Sequence, residues 1–580
     1  MRASGVLLPI SSLPGKYGIG RFSTEAYAFV DFLHTAGQRY WQVLPVCPTG
    51  YGDSPYQSFS TFAGNPYFID PEALVRDGLL AEEELASADF GSDPGRVDYG
   101  RQYIETNRLL DLAAERGLGR LAAADKETEI SGNPEKVSVC PGGEAARDCD
   151  VRERDFPESA ACAEFRRRNA YWLEDYALFT ACKKAFGGKS FTEWDEDIRR
   201  REPRALERYR QELSDEISKC CYLQFLFDRQ WMRLKACANE KGIRIIGDIP
   251  IYVAPDSADF WAHPELFQVN ADGGPSAVAG CPPDGFSADG QFWGNPLYDW
   301  VYHRETGYAW WISRLTRCRE LYDVIRIDHF RGFDEYYSIP AGETTAVHGS
   351  WKKGPGAELF RAAREAIGET PIIAEDLGYI TDSVRQLVKD CGFPNMKVLE
   401  FAFDSRDSSS RELYLPHNYE ENCVVYTGTH DNETLLGWLG SILPEELQEV
   451  REYLGCTEEE SAAADPAAGE ACSTHGEVPQ RCTALKEIDS EWMDAWKRAY
   501  RNAPPHDAEK LTDRLIRLAQ ASVADLCVIP MQDWLGLDNT ARMNRPNTMG
   551  GNWQWRMQAG DCSEKLAERM RKMARMYGRT

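Results

Sequence analysis

Eight short runs of β-branched and apolar residues recur along this chain, each stopping at a turn or a charged residue, and they limit the possible folds more than any other feature. They are Gly5-Val6-Leu7-Leu8-Pro9, Tyr40-Trp41-Gln42-Val43-Leu44-Pro45, Ile243-Arg244-Ile245-Ile246-Gly247-Asp248 and Asp323-Val324-Ile325-Arg326-Ile327-Asp328. Pro371-Ile372-Ile373-Ala374-Glu375, Lys397-Val398-Leu399-Glu400-Phe401, Cys423-Val424-Val425-Tyr426-Thr427-Gly428 and Leu526-Cys527-Val528-Ile529-Pro530 complete the set. Stretches of helical period lie between them, at 23–36, 356–366 and 382–391. Eight strands alternating with helices predict an α/β chain folded as a (β/α)8 TIM barrel. An open doubly wound sheet is the alternative that the same alternation allows.

The runs are unevenly spaced, with about 190 residues between the second and third, 75 between the third and fourth, and 95 between the seventh and eighth. Connections of that length must carry structure of their own. The expectation is one catalytic barrel over 1–580 with three insertions. A mainly helical subdomain is expected at 70–240, with long helices at 170–186 and 206–241, and further insertions at 249–322 and 432–520. Two polar stretches, 125–160 and 456–486, are rich in Ala, Glu, Gly, Pro and Ser and are expected as surface excursions.

Composition excludes several classes of partner. With 66 Lys+Arg against 92 Asp+Glu, the net charge is −26, unsuited to nucleic acid or an anionic membrane. A hydrophobic fraction of 43% is enough for a large core, which rules out a mainly disordered chain. The opening MRASGVLLPISSLPG has neither the basic start nor the apolar run of a signal peptide, and no segment is apolar enough to span a bilayer. A cytoplasmic protein is therefore expected. The 17 cysteines include no C-x-x-C pair, and several sit in apolar runs, which predicts buried free thiols in a reducing compartment. Cys140, Cys149 and Cys162, with Cys456, Cys472 and Cys482, fall in polar segments and are expected as exposed thiols without an assigned function.

In a (β/α)8 enzyme the chemistry sits at the C-terminal ends of the strands. Asp248, Asp328 and Glu375 each end a run, and Asp431 lies just past another. Four carboxylates around one cavity are costly unless they do chemistry, hold a metal or accept hydrogen bonds. The plainer reading of any one of them is a helix N-cap. Strand alternation puts Arg326 on the face of Asp328, which predicts a lowered pKa suited to a nucleophile; an inward structural ion pair is the alternative. Glu375 follows an apolar run without a basic neighbour, which predicts a carboxyl that keeps its proton, whereas Asp376 faces the other way. One ionised and one protonated carboxyl suit glycosidic-bond cleavage with retention, Asp431 can stabilise the oxocarbenium-like charge, and His430 can donate to a hydroxyl.

Loop aromatics fit a sugar ligand. Tyr51 and Tyr56, then Phe292, Trp293 and Tyr298, then Trp553 and Trp555, stand among Asn, Asp and Gln, able to cover apolar ring faces rimmed by hydroxyls. Filling of subdomain cores is the competing use of the same rings. Gly187-Gly188-Lys189-Ser190 has part of a phosphate-loop pattern, but Cys182 stands where its first glycine is required, so a solvated loop explains it better.

Three blocks then carry a family resemblance: Arg326-Ile327-Asp328-His329-Phe330-Arg331-Gly332, Ala374-Glu375-Asp376-Leu377-Gly378 and Thr429-His430-Asp431-Asn432. They resemble the catalytic blocks of the 4-α-glucanotransferases (amylomaltases or disproportionating enzymes), glycoside hydrolase family 77 of the α-amylase clan. Gly247-Asp248-Ile249-Pro250-Ile251-Tyr252-Val253, Asp53-Ser54-Pro55-Tyr56-Gln57-Ser58, Trp293-Gly294-Asn295-Pro296-Leu297-Tyr298 and Arg542-Met543-Asn544 are similar to four more. The resemblance implies Asp328 as nucleophile, Glu375 as acid/base and Asp431 as transition-state stabiliser. It further implies sugar contacts by Tyr56, Asp248, Trp293, Arg326, His430 and Asn544, with no organic cofactor and no metal in the catalytic role.

The activity implied is transfer of α-1,4-glucan segments from a donor maltodextrin to the 4-OH of an acceptor glucan or glucose, by a retaining double displacement. An α-amylase-type hydrolase using the same three carboxylates is the nearest rival. A non-catalytic glucan-binding protein is a more distant one. The two polar excursions are longer than the family pattern needs.

Overall fold

The computed structural model describes residues 2–50, 52–131, 158–283, 289–378, 380–405, 411–456, 507–546, 548 and 550–580. Tyr51, most of both polar excursions and Cys140, Cys149, Cys472 and Cys482 lie outside them.

Twelve strands are described: β1 Ala3–Leu7, β2 Tyr40–Gln42, β3 Arg244–Pro250, β4 Ala277–Cys281, β5 Gln291–Pro296, β6 Val324–Asp328, β7 Glu335–Pro340, β8 Ser350–Lys353, β9 Ile372–Ala374, β10 Asn395–Val398, β11 Cys423–Tyr426 and β12 Leu526–Pro530. Eight of them close into a parallel barrel in the order β1-β2-β3-β6-β9-β10-β11-β12, with β12 pairing back onto β1. Each barrel strand overlaps one of the eight runs, although β3 runs two residues past Asp248 to Pro250. β10 starts at Asn395 and stops at Val398, where the run expected at 397–401 turns into a 3-10 helix. The open-sheet alternative falls away because β12 pairs with β1 from Ala3↔Leu526 to Leu7↔Pro530.

Alternation divides each strand between two apolar environments. Leu7, Ile246, Val324, Ile373, Met396, Val424, Tyr426, Leu526 and Val528 point inward and pack the barrel interior. Val6, Ile245, Ile325, Ile327, Ile372, Val425, Cys527 and Ile529 point outward into the main core under the helices. The interior is thus filled by side chains, and the cleft begins one layer higher, at the strand ends.

The helix over Asp382–Cys391 has both of its stop signals: the Thr381 hydroxyl accepts from the Val384 N–H at 3.4 Å, and Gly392 ends it with φ of 73°. Between β2 and β3 the long helices Tyr99–Ser131, Glu158–Ala185 and Ser214–Glu240 pack together through buried aromatics such as Trp172, Tyr176, Tyr222 and Phe225. The helix expected at 206–241 is two, Pro203–Glu212 and Ser214–Glu240, because Leu213 leaves helical geometry with φ −108° and ψ 18°. The helix expected at 170–186 begins earlier, at Glu158, and its first turns bury Cys162, which is therefore not the exposed thiol expected. Cys456 is half-buried and accepts a hydrogen bond from Arg514. Gly187 and Gly188 close the end of that helix, the Gly188 N–H donating to the Lys183 carbonyl at 2.8 Å.

A second sheet was not legible in the sequence. β4, β5, β7 and β8 form an antiparallel sheet in the order β5-β4-β7-β8, standing beside the barrel mouth in the β3–β6 and β6–β9 connections. Its strands, such as Ala277-Val278-Ala279-Gly280-Cys281, contain small residues and little alternation, so their pairing comes from tertiary contact.

Candidate active site

The barrel register assembles the site. Asp248 of β3 pairs with Arg326 of β6, and Ile327 of β6 pairs with Ala374 of β9. One step further along, Asp328 and Glu375 therefore emerge side by side from adjacent strands. The Glu375 N–H donates to the Ile327 carbonyl at 3.1 Å, and the Phe330 N–H to the Glu375 carbonyl at 2.9 Å.

Asp248 is fully buried. Arg326 Nη1 donates to both of its oxygens at 2.7 Å, and the Tyr56 hydroxyl donates to Oδ2 at 3.0 Å. The same Nη1 reaches Asp328 Oδ1 at 3.0 Å. Both Asp248 oxygens are occupied by Arg326, and one also by Tyr56, so that this buried acid anchors the two side chains. One expectation is corrected here. Asp328 was expected below the ordinary carboxylate range. Burial, with Asp248 and Asp431 close by, instead pushes it up to about 6 against the opposing pull of Arg326. The guanidinium is shared with a second carboxylate, which the sequence reading did not allow for.

Glu375 is pushed up to about 8, first by burial and then by the charge of Asp328. Its Oε2 accepts from the His329 N–H at 2.6 Å and its Oε1 from the Leu377 N–H at 2.9 Å. His329 adopts left-handed geometry, φ 54°, unusual for a non-glycine residue, and this turns its N–H toward Glu375. Asp376 is buried and accepts from the Met396 N–H at 3.0 Å, tying β9 to β10 away from the cleft.

Asp431 lies on the loop after β11. Its side chain is 45% exposed, against 29% for Asp328, so it is the more open of these two acids. Asn544 Nδ2 donates to its Oδ1 at 2.6 Å, and His430 Nε2 lies 3.4 Å from its Oδ2. The His430 ring stacks on Tyr56 with centroids 5.0 Å apart, and Trp553 leans on both rings. On the opposite wall Trp293 meets His329 edge-on at 4.7 Å, while Phe292 is exposed beside it. Tyr298 belongs to the core instead: it is buried, and its hydroxyl donates to the Ile251 carbonyl at 2.8 Å.

Asp328, Glu375 and Asp431, with Tyr56, Trp293, Arg326, His430 and Asn544, thus gather at one mouth of the barrel. His329, Arg542 and Glu400 stand in the quoted blocks and runs, but the sequence reading assigns them no part in the site. Glu400 stands just past β10 and could have been found by the strand-end rule that found the others; it is buried, and burial with nearby Asp533 and Glu433 holds its carboxyl well above the ordinary range. Among the described residues no three His, Cys, Asp or Glu side chains gather as a metal site.

Comparison with known proteins decides the family. The family model described as 4-alpha-glucanotransferase matches residues 8–138 and 143–562. The chain belongs to the 4-alpha-glucanotransferase family. The 4-alpha-glucanotransferase of Thermus thermophilus is 44% identical over 575 residues, covering 99% of this chain and 98% of that protein. That of Streptococcus pneumoniae is 42% identical over 579 residues, covering 100% and 97%. The structure of amylomaltase from Streptococcus agalactiae in complex with acarbose matches with a TM-score of 0.82 at 38% identity, over the whole of both chains. As a family member the chain is a glycosyl-transferring enzyme, and the transferase reading stands over hydrolysis. No described helix is long and apolar enough to cross a membrane.

Proposed function

We propose that the enzyme transfers α-1,4-glucan segments by a retaining double displacement in which Asp328 is the nucleophile, Glu375 the acid/base and Asp431 the stabiliser of the transition state. The observation that carries this reading is the adjacency of Asp328 and Glu375 on β6 and β9, with Arg326 beside the first and the backbone N–H groups of His329 and Leu377 on the second. Of the two carboxyls Glu375 holds its proton to the higher pH, so the singly protonated pair has an ionised Asp328 facing a protonated Glu375.

Asp328 attacks C1 of the donor sugar, the C1–O4 bond breaks, and Glu375 gives its proton to the departing O4. The glycosyl group is then an ester of Asp328, and Glu375 is a carboxylate. The 4-OH of an acceptor sugar loses its proton to Glu375 while its oxygen attacks C1 and the ester bond breaks. Asp431, held by Asn544, faces the positive charge that develops on the ring. Tyr56, Trp293 and Asn544 line the sugar path, with the buried His430 ring stacked behind Tyr56, and an aromatic-walled cleft favours a sugar acceptor over water.

Maltooligosaccharides and α-1,4-glucans are the proposed donors and acceptors, supported by the acarbose complex of the Streptococcus agalactiae amylomaltase. The free thiols among the described residues support a reducing compartment such as the cytoplasm. Incubation with maltotriose tests the reading: a ladder of longer chains plus glucose is expected, and glucose with maltose alone would refute transfer. Asp328→Asn should lose at least about 10³-fold in kcat and form no glycosyl ester detectable by intact mass.

A further inference from the structure

Beneath Asp431 two loops distant in the chain are joined side by side. One follows β11 and carries His430 and Asp431; the other follows β12 and carries Asn544. The Asn544 N–H donates to the His430 carbonyl at 3.1 Å, and the Asn544 amide meets the Asp431 carboxylate at 2.6 Å. Arg542 lies under this pair. Its Nη2 donates to the Asp431 carbonyl and its Nε to the Asn544 carbonyl, each at 2.8 Å. Its Nη1 lies 3.4 Å from Glu433 Oε1, and Glu433 in turn is held by Ser441 and Asn539 at 2.6 and 3.0 Å. The Arg542 side chain is 18% exposed, and its three guanidinium nitrogens are all engaged by these partners.

We propose that Arg542 is a positioning residue for glucan transfer: one edge of its guanidinium clamps the backbone carbonyls of Asp431 and Asn544, which aims the Asn544 amide at the Asp431 carboxylate and holds that carboxylate toward the sugar. The inference rests on the role of Asp431 proposed above. The need for such a clamp follows from the place of Asp431. It sits on a loop beyond the strand end with 45% of its side chain exposed, so the barrel ladder does not fix it. A carboxylate that stabilises charge only in the transition state has to be held in place beforehand, because reorientation during the reaction would cost what the interaction supplies.

The contact is geometric more than electrostatic. Both acceptors are neutral carbonyls, and they are reached from two nitrogens set apart on a rigid plane. A lysine carries its donors on a single atom at the tip and cannot occupy the Nε and Nη2 positions together. Charge alone is therefore the wrong substitute.

The test compares maltotriose disproportionation by the wild type, Arg542→Lys, Arg542→Met and Asp431→Asn, with folding followed by circular dichroism and thermal melting. Both Arg542 variants are expected to fold, to lose at least about tenfold in kcat, and to keep KM within about threefold. A merely structural arginine would lower the melting temperature and leave kcat of the folded enzyme unchanged. Arg542→Lys with kcat within about twofold of wild type would overturn the clamp, as would Arg542→Met with the same result. Should Arg542→Met not fold, the lysine variant decides alone. An active Asp431→Asn would overturn the role of Asp431, whereas an inactive Asp431→Asn beside a fully active Arg542→Lys overturns only the clamp.

Discussion

Arg326 holds Asp248 through a single nitrogen, Nη1, which lies 2.7 Å from each of its carboxylate oxygens. That engagement decides how much of the guanidinium charge is left for Asp328, 3.0 Å away on the same strand as the arginine. A cation between two acids cannot fully compensate both, and Asp328 is the one exposed to the cleft.

The pH dependence of the wild type follows. The Asp328 carboxyl, raised to about 6, must be ionised to attack, so kcat/KM is lost as pH falls through that value. The Glu375 carboxyl, raised to about 8, must be protonated to assist departure, so kcat/KM is lost as pH rises through that value. A bell with limbs near 6 and 8, measured on maltotriose, is expected. A flat profile from 5 to 9 would remove both assignments.

Asp248→Asn should move one limb only. Removal of the buried negative charge leaves Arg326 to Asp328 alone, and both changes favour the ionised Asp328. The acid limb is expected to shift down by about one pH unit, while the alkaline limb stays in place. Absolute kcat/KM should also fall, because Arg326 and the Tyr56 hydroxyl lose their anchor. An acid limb that stays in place or moves upward contradicts the shared-guanidinium account.

Glu375→Gln separates proton donation from the rest of the chemistry. On maltotriose, kcat should drop by about 10³-fold, since O4 then departs without a proton. With α-maltosyl fluoride, whose leaving group needs no proton, the first step should recover. Deglycosylation lacks its base, so a glycosyl-enzyme is expected to accumulate in the intact mass spectrum. Near-normal turnover of maltotriose by this variant would mean that another group carries the proton.

Particular residues show where the sequence was legible. The strand ends at Asp328 and Glu375 were readable because hydrophobic period and strand termination are local properties of a few neighbouring residues. The helix over Asp382–Cys391 was readable for the same reason, with Thr381 and Gly392 as its stop signals. The sheet of β4, β5, β7 and β8 was not, since its strands depend on partners up to tens of residues away and carry weak patterns of their own. Tyr298 reads as a loop aromatic beside Trp293, yet one ring is packed in the core and the other lines the cleft.

Sequence alone determined the count of barrel strands and the acids Asp328 and Glu375 at two of their ends, because alternation and chain breaks are written in consecutive residues. Asp248, expected at a strand end, instead lies inside β3, which runs on to Pro250. Only the tertiary structure decided how those acids are charged and held. Asp248 and Arg326 are 78 positions apart, and Asp431 and Asn544 are 113 apart. Ionisation depends on distance through space and on exclusion of water, and neither quantity exists until the barrel closes.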